Sequence, residues 1–108
     1  MVNITSKQEL HEIIENNDKD TLAVVKFSAT WCGPCRQMEN TIENIENEGT
    51  NVKFYNVDVD ELPELAEEHE VMSIPVLLYY KGSLQVDRTL GGLPESALRA
   101  KIEENNNK

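Results

Sequence analysis

The sequence predicts a three-layer α/β/α fold, with a central mixed five-stranded sheet between four flanking helices. Three observations lead there. Short apolar runs of strand length alternate with stretches of helical periodicity from the N-terminus to about Glu70. A strand–turn–strand signal then surrounds Gly82, and a last helical pattern opens at Pro94. Early alternation demands parallel pairing through right-handed crossovers, whereas the late hairpin demands an antiparallel pair, so the sheet is mixed and helices cover both its faces.

Each element has its own warrant. Residues 2–4 are expected to form a short first strand. Ser6-Lys7-Gln8-Glu9 has the form of a capping box, which opens a helix with Leu10, Ile13 and Ile14 on one stripe. Asn16-Asn17-Asp18 stops it. Residues 22–27 are a buried strand by length and by the Val24-Val25 pair, interrupted once by Lys26. A second helix runs from Pro34 with Met38, Ile42 and Ile45 inward, since a proline in the first turn forfeits no helical hydrogen bond. Gly49 closes that segment. Residues 52–59 alternate as a strand around Val52, Phe54 and Val57. Residues 63–69 are a short helix with Leu62, Leu65 and Ala66 inward. Residues 75–80 and 85–90 are strands joined by the turn Lys81-Gly82-Ser83. The helix from Pro94 turns Leu98 and Ile102 to the core, and Asn105-Asn106-Asn107-Lys108 is expected to fray.

Composition bounds the function. The chain has 108 residues, the length of one domain, with 39% apolar and 28% charged residues, the balance of an ordinary soluble globule. Its net charge of -10 repels phosphate backbones and anionic lipid surfaces alike, so neither nucleic acid nor membrane is an expected partner. The N-terminus lacks the basic and apolar segments of a secretory signal. There are two cysteines, Cys32 and Cys35. A loop this short gives a disulfide almost no chain-entropy benefit, so the pair points to chemistry rather than stapling. Structural zinc needs four ligands, and His11 and His69 lack finger-like spacing. Arg36 stands where haem attachment needs a histidine. No metal and no cofactor are expected.

The segment Phe27-Ser28-Ala29-Thr30-Trp31-Cys32-Gly33-Pro34-Cys35-Arg36 puts one cysteine where a strand ends and the other in the first turn of a helix. Unpaired N–H groups and the positive helix end favour a thiolate there. Cys32, expected to be the more exposed, attacks a disulfide. Cys35 then attacks Cys32, releases the reduced product and leaves an intramolecular disulfide. Gly33 and Pro34 let the sulfurs approach and stiffen the spacer.

Trp31-Cys32-Gly33-Pro34-Cys35 after a buried strand resembles the active site of the thioredoxin family. The likeness covers nearly the whole chain. Ile74-Pro75 resembles the family's cis-proline loop, Gly91-Gly92 its glycine beside the substrate groove, and Phe27, Ala29 and Asp60 fall where the family places such residues. The resemblance implies a general protein-disulfide reductase that is monomeric and cytoplasmic. It also implies disulfide-containing client proteins, and recharging by a flavin-dependent or ferredoxin-linked thioredoxin reductase. Trp31, Ile74, Pro75 and Gly91 would line the groove. Two other readings stand beside it: an oxidase or isomerase with a shifted potential, and a partner-binding subunit that needs no redox chemistry. The Gly33-Pro34 spacer favours reduction, because oxidant relatives usually carry a histidine there.

One position departs from the pattern. Family members usually carry an aspartate where this chain has Lys26, and Asn56 stands where its partner lysine would be. A charged Lys26 would favour the Cys35 thiolate. A neutral one could accept the Cys35 proton. A third option is that the long stem carries the amine to solvent. Elsewhere the bland readings lead. Asp58 and Asp60 read as solvated loop or helix-start residues rather than catalytic acids, His69 as a satisfied, partly buried side chain, and Met38 and Met72 as packing.

Overall fold

The computed structural model describes residues Met1–Lys108 and puts the apolar run around Val24 at the centre of the molecule. The elements follow one another as β1 (Val2–Asn3), α1 (Lys7–Glu15), β2 (Leu22–Ser28), α2 (Gly33–Glu46), β3 (Lys53–Asp58), α3 (Pro63–Glu68), β4 (Val76–Lys81), β5 (Leu84–Leu90) and α4 (Glu95–Asn106). One five-stranded sheet has the order β1-β3-β2-β4-β5. β1, β3 and β2 pair in parallel, and β4 runs antiparallel to both β2 and β5. The mixed sheet and its four helices are those expected from the sequence.

Period-two alternation along β2 divides the core in two. Ala23, Val25 and Phe27 join Leu10 of α1 and Leu65 of α3 on one face. Leu22 and Val24 join Met38, Ile42 and Ile45 of α2 and Leu98 and Ile102 of α4 on the other. Every residue of β2 is buried, as a central strand covered on both faces must be.

Helix ends follow local chemistry. Ser6 accepts the Glu9 N–H at 3.1 Å and so caps α1. The returning Glu9 carboxylate takes the N–H of Thr5, one residue before the cap, rather than that of Ser6. Gly49 ends the α2 segment at a φ of 70°, and Gly82 makes the β4–β5 turn at 59° with its α-carbon face against Lys19.

Two expectations need correction. Residues 105–108 are not simply a frayed end: α4 continues through Asn106, and Asn105 is fully buried. Its Nδ2 donates to Asp87 Oδ2 and to the Lys101 carbonyl, both at 2.9 Å. A polar asparagine run gives no periodic signal, yet one amide meets a carboxylate on β5. Met72 is the second correction. It is 95% exposed rather than part of the core, in the irregular segment between α3 and β4.

Candidate active site

β2 delivers its last buried residues to the start of α2, and Cys32 is the N-cap of that helix. Its extended backbone (φ -87°, ψ 110°) turns the sulfur back over the first turn, where Sγ accepts the Cys35 N–H at 3.3 Å. This is the place a side-chain oxygen takes in ordinary capping, and the donor favours a negative sulfur. Pro34 fills the first turn without wasting a donor. Cys32 and Cys35 are joined as a disulfide, with α-carbons 5.3 Å apart. Cys32 is 5% exposed and Cys35 1%, so the order of accessibility is the expected one.

Sheet topology brings the remaining residues to the same end. β4 is antiparallel to β2, and Phe27 pairs with Val76, so the start of β4 meets the end of β2. The Ile74–Pro75 peptide is cis. Gly91, at a φ of 85°, donates its N–H to the Pro75 carbonyl at 2.8 Å and ties the segment after β5 to that loop. Gly92 packs so closely on Pro34 that an added Cβ would lie 3.4 Å from the proline ring. Ile74 and Val59 pack against the small cluster of Ala29, Cys32 and Cys35. Trp31 stands 67% exposed beside the disulfide. With Val59, Val71, Met72, Ser73 and Ile74 it lines a shallow, mostly apolar depression.

Two contacts were not legible in the sequence. The Trp31 indole Nε1 donates to Asp60 Oδ2 at 2.8 Å, and Asp58 Oδ1 in turn accepts the Asp60 N–H at 2.8 Å. The two acids read as solvated loop residues thus fix the tryptophan. The second contact is that of Lys26. Its side chain is fully buried, so its stem does not carry the amine to solvent. Glu39 Oε1 lies 3.7 Å from Nζ. Burial pulls the lysine below its usual range, and the Glu39 carboxylate pulls it back in part. Asn56 is in register with Lys26 across the parallel pair, and its Oδ1 accepts the Ser28 hydroxyl at 2.7 Å. His69 is half-buried, with Nδ1 2.9 Å from the Leu65 carbonyl and its ring tilted against Phe27, as its bland reading held.

Comparison with known proteins gives one answer. The family model described as Thioredoxin matches residues 1–104. Thioredoxin-2 of Saccharomyces cerevisiae is 38% identical over 102 residues, which is 94% of this chain and 95% of that protein. Thioredoxin 1 of Plasmodium falciparum is 39% identical over 101 residues, 94% of this chain and 93% of that one. The X-ray structure of Fasciola hepatica thioredoxin superposes with a TM-score of 0.88 at 34% identity, covering 97% of this chain and 99% of its own. A paired dithiol at a helix N-terminus, set in this sheet and matched along almost its full length, makes the chain a member of the thioredoxin family of thiol–disulfide oxidoreductases.

Proposed function

We propose that the chain is a general protein-disulfide reductase that acts through the Cys32-Gly33-Pro34-Cys35 pair. The observation that carries the reading is Cys32 Sγ at the N-cap of α2, receiving the Cys35 N–H, with Cys35 closed behind it. In the reduced protein the Cys32 thiolate attacks one sulfur of a client disulfide, and the other client sulfur leaves with the bonding electrons. Cys35 then attacks Cys32, the mixed disulfide breaks, and the client departs with both sulfurs reduced. The protein finishes oxidised, as a Cys32–Cys35 disulfide, and a thioredoxin reductase restores it.

The groove reading has support of its own. Ile74 packs on the cysteine cluster, Trp31 lines a depression with Ile74, and Gly91 holds the carbonyl of Pro75 beside them in the chain. An extended client segment laid there meets apolar side chains on one flank, and the backbone groups of Ile74 pair with it as an added strand would. Met72 joins this surface. No helix is long and apolar enough to cross a membrane. We place the protein's work in a reducing compartment such as the cytoplasm, where a dithiol is kept recharged. It acts there as a monomer.

Insulin-disulfide reduction by the full chain, with NADPH and a flavin-dependent thioredoxin reductase, tests the assignment. Wild type turns over. Cys32→Ser loses turnover completely. Cys35→Ser accumulates a client-linked mixed disulfide visible by mass spectrometry. Wild type that fails to turn over overturns the reading in favour of a binding subunit, and turnover that survives Cys32→Ser overturns Cys32 as the nucleophile.

A further inference from the structure

α3 ends in a Schellman turn. The Val71 N–H reaches back to the Ala66 carbonyl at 2.8 Å, and the Glu70 N–H to the Glu67 carbonyl at 3.1 Å. The residue that closes such a turn is left-handed, and glycine usually fills the place because a side chain is crowded there. Here it is Glu70, at a φ of 56°, the only non-glycine residue of the chain with a positive φ. A backbone held in a sparsely populated region persists only when its surroundings hold it.

That hold comes from β5, the last strand of the sheet. Arg88 is in register with Leu78, which belongs to the core under α1 and α3, so its side chain shares that face. One guanidinium nitrogen donates to the His69 carbonyl and another to the Glu70 carbonyl, each at 2.7 Å. Carbonyls at a helix end lack intrahelical donors, and a cation suits the negative end of a helix. The planar fork answers both carbonyls at once, which a single ammonium nitrogen does less well. Three residues further on, the Gly91 N–H holds the Pro75 carbonyl at 2.8 Å. Residues 71–74, which form neither helix nor strand, thus run between two ties to β5 and its end. Val71, Met72, Ser73 and Ile74 are four of the six residues that line the depression beside Trp31.

We propose that Arg88 is a positioning residue for client docking: by gripping the carbonyls of His69 and Glu70 it fixes residues 71–74, and so the depression that receives an apolar side chain of an extended client segment. The proposal rests on the reductase reading above. Arg88 touches neither client nor sulfur. It acts on the fraction of molecules whose docking wall is already in place, and apparent affinity falls in proportion as that fraction falls. The chemistry at Cys32 and Cys35 belongs to the other side of the site, on β2 and α2, and does not pass through the clamp. A disulfide too small to use the wall is therefore reduced at the same rate with or without Arg88.

The test compares wild type with Arg88→Met, which keeps an unbranched stem and removes the fork, and with Arg88→Lys, which keeps the charge. Each is assayed on insulin and on a small aromatic disulfide. Arg88→Met is expected to raise the KM for insulin about three- to tenfold, as when the competent fraction drops to between about a third and a tenth. Its kcat and its rate with the small disulfide stay at the wild-type values. Arg88→Lys, left with one nitrogen for two carbonyls, falls between the two. Amide hydrogen exchange at Met72 and Ser73 quickens in step with KM. An unmoved KM in Arg88→Met overturns the proposal, and so does a loss that appears equally in kcat and in small-disulfide reduction, which marks a merely structural role. Should Arg88→Met fail to fold, an unmoved KM in Arg88→Lys overturns it instead. All of these outcomes presuppose that wild type reduces insulin, so failure of the clamp is distinct from failure of the reductase reading.

Discussion

Tyr80 sits in the core under α1 and α3, and burial, with a contribution from Glu68, pushes its phenol up to about 12. The folded state therefore holds a proton that the unfolded chain releases near pH ~10. Stability from this group is complete below that pH and falls as pH rises from about 10 to about 12, by on the order of 1–3 kcal/mol. Tyr80→Phe is expected to flatten the alkaline decline seen in urea unfolding, with Tyr79, also raised by burial, leaving a residual slope. At this scale legibility depended on sequence distance. Cys32, Cys35 and Pro75 announce themselves because their spacing and residue types carry the chemistry. The tie from Trp31 to Asp60 and the approach of Glu39 to Lys26 join different elements, and no local pattern signals either. Met72 was read as packing because a lone methionine gives no sign of which way it faces.

The elements were legible wherever a periodic stripe met a stop signal. α1 begins at its cap, α2 around its proline, and the β4–β5 turn falls at Gly82. Boundaries moved by a residue or two where backbone pairing outran the side-chain pattern, as at Ser28, which extends β2 opposite Asp58. The end of α4 failed for a different reason. Helix periodicity is read from apolar residues, and Asn105 is anchored by hydrogen bonds instead. Deleting residues 105–108 is accordingly expected to destabilise the protein by about 1–3 kcal/mol, since Asp87 loses a buried partner. Chemical denaturation of the shortened chain measures this, and a frayed tail would cost nothing.

At the scale of the whole molecule, the class of fold followed from the order of elements, whereas the order of strands did not. Alternation says that the early strands run parallel but leaves open which of them is central. The answer, β2 in the middle, depends on burial on both faces along its full length. That placement also explains why the site assembles. The carboxyl ends of β2 and β3 and the antiparallel start of β4 all open at one end of the sheet. α2 then carries the chain about 21 Å away, at 1.5 Å per residue over its 14 residues, before the exposed turn at Glu48-Gly49-Thr50-Asn51. The molecule thus has a working pole and an idle one. A flexible Gly-Ser insert between Thr50 and Asn51 is expected to leave insulin turnover within twofold of wild type, and the same assay checks it. The idle pole is a handle: a surface, a probe or a second domain fastened there leaves the sulfurs facing outward.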